Sequence, residues 1–281
     1  MTPAIARRFG GRHPAFFLLV IASCAVIGFP FYWMFVSSVQ SGEVVFAFPP
    51  SLLPRQLTAV NYETVLRETQ LGLWLWNSFI VASVSTLLSL AVGTCGAFAL
   101  SRFRYRGKQA FIFTILSTQM IPPLVLVIPL FKIFVGLDLD DTIRGLVLAN
   151  FTFSLPIVVW MMKAMFDTVP VEIEEAARVD GASWWQVLTK ITGPLVLPGL
   201  LATGIFTFLE AWDEFMLART IVTSTEKWVA TIGLASFVGN YTTPFNEMMA
   251  AAVLFTLPPV FLFLFVQKYF IAGLSAGAVK G

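Results

Sequence analysis

Six long stretches without a charged side chain leave this chain few folds to adopt: residues 14–42, 71–101, 109–131, 145–162, 191–209 and 248–267. A helix crosses the hydrocarbon core of a bilayer with about 17–25 predominantly apolar residues, and each stretch is long enough. In lipid every backbone N–H and C=O needs a partner inside the protein, which one helix supplies for itself. The expectation is an all-α polytopic membrane protein with six transmembrane helices. Composition agrees, because charged residues are 12% of the 281 against about 25% in soluble domains. A seventh uncharged stretch, 228–246, carries Thr231, Gly233, Ser236, Gly239, Asn240, Thr242, Thr243 and Pro244. That is too polar and too broken to face lipid, and it reads as a loop, with a re-entrant course buried in protein open to it.

Several function classes fall away. One His, His13, and two Cys, Cys24 and Cys95, supply no metal-ligand set, and a net charge of +2 offers no field for nucleic acid. No catalytic residue, no metal and no nucleic-acid partner are expected. The first stretch passes Ile21-Ala22-Ser23-Cys24 and stays apolar to Val36. That is further than the 7–15 apolar residues, roughly, of a signal peptide, so an uncleaved first span is expected.

Lys and Arg between spans set orientation. One set of segments holds twelve: Arg7, Arg8, Arg12, Arg102, Arg104, Arg106, Lys108, Lys163, Arg178, Lys190, Lys268 and Lys280. The other holds six: Arg55, Arg67, Lys132, Arg144, Arg219 and Lys227. Both termini are therefore expected in the cytoplasm, with Arg102 to Lys108 anchoring at the headgroups. Outside lie an extended stretch within 43–70, stiffened by Phe48-Pro49-Pro50 and Pro54, and the loop 219–247.

Inside lies the loop 163–190. Asp167 or Thr168 can cap a helix, Pro170 suits its first turn, and Glu172, Glu174 and Glu175 suit the positive end of its dipole. Gly181 is placed to end it in the left-handed conformation. Ser183 can cap a second short helix, closed by Gly193-Pro194 and set at a sharp angle to the first. A helix of about ten residues is marginal alone in water, so it needs a surface to dock on. Membrane-surface helices pair bulky apolar residues with Lys and Arg. Here the middle is Ala176-Ala177 flanked by acids, small enough for a cleft on another protein, although a plain connection between spans fits the residues as well.

Glu175-Ala176-Ala177, three residues, Gly181, nine residues, then Ile191-Thr192-Gly193-Pro194 resembles the Glu-Ala-Ala-x3-Gly-x9-Ile-x-Leu-Pro signature of ABC importer permeases. It departs at one fixed position, Gly193 standing where that family usually has Leu. Asn61-Tyr62, Asn77-Ser78, Met120-Ile121-Pro122-Pro123, Ala211-Trp212-Asp213-Glu214-Phe215 and the tail from Gly273 to Gly281 are similar to the second, six-span permease subunits of carbohydrate importers, the maltose type among them. Asp213 takes the place of a common Asn.

The resemblance implies a type I importer permease in a bacterial inner membrane, forming half of a translocation pathway for a sugar, an oligosaccharide or related polyol. It divides the chain into a cytoplasmic N-terminus (1–13), a first span with its external loop (14–70), a permease core (71–272) and a cytoplasmic tail (273–281). No Gly-x4-Gly-Lys-Ser/Thr loop occurs, Gly107-Lys108 being followed by Gln109. ATP and magnesium are therefore expected on two partner ATPase subunits, with no cofactor in this chain and no enzyme activity of its own. A second permease subunit, an extracytoplasmic solute-binding protein and membrane lipid complete the implied partners. Glu174, Glu175, Ala176, Ala177, Asp180 and Gly181 are the implied ATPase-coupling residues.

Glu210, Asp213 and Glu214 share a helix face by spacing. A carboxylate at mid-bilayer costs about 2.5–3.5 kcal/mol, so it usually faces protein or a water-filled cavity. With Trp212 beside them, Glu210 and Asp213 are candidates for a sugar-lining surface. Asn240 and Tyr241 are candidates for a loop tip that releases sugar from the binding protein. Against this, the acids can also sit solvated at the outer end of the fifth span or pair with Arg219. An ion-coupled secondary carrier, or an ABC permease for a non-sugar solute, are the alternative functions.

Overall fold

The computed structural model describes residues 14–45, 48, 52–54, 57–239 and 243–278, and among them every regular element is helical. Residues 1–13, 46–47, 49–51, 55–56, 240–242 and 279–281 lie outside the described residues, the two loop-tip candidates Asn240 and Tyr241 among them. Five helices are long and apolar enough to cross a membrane: Phe16–Ser38, Leu71–Arg102, Ile143–Asp167, Trp184–Trp212 and Phe245–Gln267. We number these spans one, two, four, five and six.

The third expected span is not one straight helix. Helices Lys108–Thr118 and Pro123–Gly136 meet at 96°. The break falls at Pro122-Pro123. Neither proline has an N–H to bond the carbonyls of Thr118 and Gln119 in helical register, and a residue before proline is pushed out of the α region. Prolines elsewhere, Pro30, Pro156, Pro198 and the pair Pro258-Pro259, leave their helices continuous.

The chain groups into two compact units, one of residues up to 69 with 237–254, the other of 70–236 with 255 onward. In the first, the segment 43–70 contains a helix, Val60–Glu68, after the proline-stiffened stretch, whose Pro49-Pro50 lie outside the described residues. Its Asn61 amide donates to the carbonyls of Ser38 and Gln40, both at 2.8 Å. The Tyr62 hydroxyl meets Ser38 Oγ at 2.7 Å. Asn246 also donates to the Gln40 carbonyl. Asn61 therefore closes the chain onto carbonyls at and just past the end of the first span, and Tyr62 adds a hydroxyl contact with Ser38.

In the second unit spans two and four form the main helix pair. Two apolar clusters hold it. One gathers Ala97, Phe98, Val158, Met162, Phe166, Val169, Val187, Leu188 and Val196, where the loop after span four begins. The other gathers Val81, Leu146, Val147 and Ala149 with residues 217–232. The loop after span five is thus folded back and packed. It holds the helices Met216–Ile221 and Ala230–Ser236, where the sequence suggested a loop. Its buried positions recur at Leu217, Ala218, Ile221 and Val222, a helical spacing too short to stand out among polar neighbours.

Candidate functional site

Span four ends at Asp167, and Thr168 closes it by donating its hydroxyl to the Met165 carbonyl at 2.7 Å. Neither residue caps the next helix, as the sequence suggested. Pro170 takes the cap position of the loop helix Val171–Val179. Asp167 is held elsewhere, by Ser101 Oγ at 2.5 Å and Lys163 at 2.6 Å. Gly181 has φ +86°, the left-handed stop its position required. The N–H of Ala182 reaches back to the Ala177 carbonyl at 3.0 Å, closing the helix end.

Ser183 and Gln186 make the reciprocal capping box. The helix they start does not stop at Gly193-Pro194. It passes through a π-helical turn, Val187–Thr192, and continues as Gly193–Trp212. A widened turn accommodates the proline ring without ending the helix. It also explains Gly193, because a Cβ there would lie 2.6 Å from the Leu188 carbonyl oxygen. The Leu of the importer signature does not fit this turn.

The loop helix has an inner and an outer side. Inward, Glu174 is 3% exposed and takes Arg102 Nε at 2.7 and 2.8 Å on its two oxygens. Arg102 is therefore not a headgroup anchor; its side chain is 6% exposed. Ala177 packs against the apolar cluster around Phe166. Outward, Glu172, Glu175, Ala176, Asp180 and Gly181 are exposed, and Val179 is 87% exposed. Arg178 lies 5.0 Å over the Trp184 ring and donates to the Ala182 carbonyl, bracing the turn.

At the other cluster the structure separates the candidate pathway residues. Trp212 is 1% exposed, stacked between Phe208 at 5.7 Å and Phe255 at 5.3 Å. It is core, not a sugar-lining ring, because positions 208, 211 and 212 share the buried face of the helix. Glu210 and Glu214 line one pocket of about 140 Å³ with Asn150, Ser154 and Phe153. Glu214 also accepts the N–H groups of Leu217 and Ala218 at 2.6 and 2.9 Å, capping the helix that follows. Asp213 is exposed. Among the described residues Arg219 forms no ion pair with these acids.

Sequence reasoning missed Asp141. Its carboxylate accepts Thr223 N at 3.0 Å, Ser224 N at 2.9 Å, Ser224 Oγ at 2.5 Å and Lys227 Nζ at 2.8 Å. Partial burial works against its charge, but these donors outweigh it and hold the carboxyl well below the usual range. From span two, Trp74 Nε1 donates to the Thr225 carbonyl, and the Asn77 amide to the carbonyls of Glu226 and Trp228, all at 2.9 Å. Ser78 Oγ accepts Ala230 N at 2.8 Å. The Asn77-Ser78 pair is thus a fastening for the loop after span five. The cluster Asp138-Leu139-Asp140-Asp141 was the available signal, but its partners lie more than eighty residues away.

Residues 86–275 match the family described as binding-protein-dependent transport system inner membrane component. The chain belongs to this family. The permease is 33% identical to the inner membrane ABC transporter permease protein YcjP of Escherichia coli, over 90% of its own length and 91% of that protein. It is 35% identical to the trehalose/maltose transport system permease protein MalG of Thermococcus litoralis, again over 90% and 91%. Its fold matches a chain of a bacterial ABC transporter that imports the acidic polysaccharide alginate, with a TM-score of 0.81 over 96% of the permease and 99% of that chain at 24% identity. The family is one of transport components, not enzymes, and the ion-driven alternative falls with this assignment. Among the described residues no group of three His, Cys, Asp or Glu is placed to hold a metal.

Proposed function

We propose that this permease is the second membrane subunit of an ATP-driven, binding-protein-dependent sugar importer, and that its loop helix docks on a cytoplasmic ATPase. The observation that carries the docking is the two-sidedness of Val171–Val179. The helix is fastened inward by a buried ion pair while its outer side, which mixes Glu172, Glu175, Ala176 and Asp180 with Val171, Ile173 and Val179, is exposed. Glu175, Ala176, Asp180 and Gly181 are the contact residues, Ala177 fits them to the body of the protein, and Glu174 holds the helix from within. Relatives named for trehalose, maltose and diacetylchitobiose support a sugar, an oligosaccharide or polyol, as cargo. ATP and magnesium belong to two ATPase partners, and a second permease subunit completes the pathway.

Glu210 and Asp213 are the carboxylates we assign to that pathway, with Asn240 and Tyr241 on the loop facing the solute-binding protein. The working core is 71–272, following the first span and external loop of 14–70. The tails 1–13 and 273–281 lie in the cytoplasm of a bacterial inner membrane. The twelve-to-six division of Lys and Arg supports that orientation. A reporter fused after Lys108 or Lys190 is expected to read cytoplasmic, and after Gln56 or Val238 external; a cytoplasmic reading at Val238 would sink this topology.

Docking is tested at Gly181. A side chain at its positive φ costs roughly 1–2 kcal/mol, enough to loosen the turn that ends the loop helix. Gly181→Leu is expected to insert normally, to retain less ATPase on purification of the complex, and to take up less trehalose or maltose. Parental ATPase retention and uptake in that variant would reject the docking surface.

A further inference from the structure

The guanidinium of Arg102 is bonded to more of the molecule than one ion pair requires. Arg102 is the last residue of span two. Its Nη2 donates to the carbonyls of Phe166 and Val169 at 2.8 and 3.0 Å, at the end of span four and just past it. Its Nε holds Glu174 on the loop helix, and its Nη1 reaches Ser101 Oγ at 3.0 Å. Glu174 Oε1 in turn accepts the hydroxyl of Thr192 at 3.2 Å, in the π turn within span five. One pair of opposite charges therefore touches spans two, four and five and the loop helix.

Stability alone is a poor reason for such a pair. Removing two charges from water costs several kcal/mol per ion, and a well-packed apolar pair does as well or better. What an apolar contact lacks is direction. Greasy surfaces slide over one another, whereas a planar fork of five donors fixes the distance and angle of every acceptor it meets. The π turn is also a place where span five can bend, since sharp kinks in helices occur at such widened turns. Without the Thr192 bond, movement of the loop helix would be absorbed in that turn.

We propose that Arg102, through Glu174 and Thr192, is a positioning residue that makes the loop helix and the adjoining ends of spans two, four and five move as one body. The proposal rests on the docking of the loop helix to an ATPase. It adds that the force delivered there reaches three spans together and is not lost in the π turn.

The test uses the complete complex with its partner permease, ATPase subunits and binding protein. Spin labels are placed at Val171 on the loop helix and Val92 on span two, both in exposed positions. In the parent complex the distance between them is expected to be the same without nucleotide and in an ATP-trapped state. Arg102→Lys keeps the charge but cannot span Glu174 and two carbonyls. It is expected to assemble, and its label distance is expected to change on ATP trapping. Solute taken up per ATP, read with radiolabelled trehalose or maltose, should fall about fivefold or more, the size of a modest coupling free energy.

Thr192→Val removes only the hydroxyl that reaches Glu174, and it decides the matter if the lysine variant does not assemble. A smaller change of the same sign is expected there. An assembled variant whose label distance stays as constant as the parent's would overturn the proposal, as would a parent distance that itself changes with ATP. Failure of the importer reading shows separately, as a parent complex without ATP-dependent uptake.

Discussion

Trp212→Ala is expected to lower the stability of the purified complex by about 3–5 kcal/mol, the range for deleting a large buried aromatic side chain. The indole is 1% exposed and stacked on Phe208 and Phe255 with interplanar angles of 19° and 25°. Such a cavity cannot close without moving spans two and five, because Ala82, Phe208 and Ala211 of the same cluster already pack around it. Trp212→Phe should be far milder. It keeps a ring in the stack and discards an indole N–H that finds no acceptor among the described residues. The measurement is the temperature at which the detergent-purified complex loses its monodisperse elution, alongside the KM for uptake. If Trp212 lined the sugar pathway instead, the alanine variant would elute normally and show a raised KM.

That outcome bears on how much of this molecule is legible in its sequence. Helix phase separates Trp212 from its acidic neighbours: positions 208, 211 and 212 fall on the buried side, and 210 and 213 do not. The acids beside the indole drew attention to the wrong face. Arg102 shows the same weakness. Four positive charges between 102 and 108 read as one basic cluster, yet only Arg102 continues the buried face of span two, one turn beyond Phe98. The long apolar runs located the spans because the bilayer imposes a length on them. Hydropathy is blind to backbone direction, so 109–131 read as one uncharged span although Ser117-Thr118-Gln119 and Pro122-Pro123 stand at its 96° break. The stop at Gly181 and the capping box at Ser183 were readable because their partners lie within a few residues. The ties of Asp141 and Asn77 were not, because their partners are 82–86 and 149–151 residues away.

Asp141→Ala is expected to unfasten the loop after span five. The carboxylate collects four donors from Thr223, Ser224 and Lys227, and its own N–H donates to the Ile221 carbonyl at 2.8 Å. Hydrogen bonds to a charged acceptor are worth about 1.5–3 kcal/mol each before losses are shared. Lys227 is 41% exposed and will be rehydrated, so the net cost should be about 2–3 kcal/mol. In local opening that corresponds to hydrogen exchange roughly 30–150-fold faster across Ala230–Ser236. Asp141 has φ 48°, a conformation that Asn tolerates. Asp141→Asn therefore isolates the loss of charge from backbone strain and should fall between parent and alanine. The pH dependence follows from the same bonds. The native carboxyl titrates well below its unfolded value, so its stabilisation is fully present above the ordinary aspartate pKa of about 3.9. It is lost only as pH falls through the lower native value. Protection factors for 223–227 in the parent should accordingly hold from neutral pH down to about 4, while those of the asparagine variant are lower throughout. Unchanged exchange at Ala230–Ser236 in Asp141→Ala would mean that Trp74, Asn77 and Ser78 hold the loop by themselves.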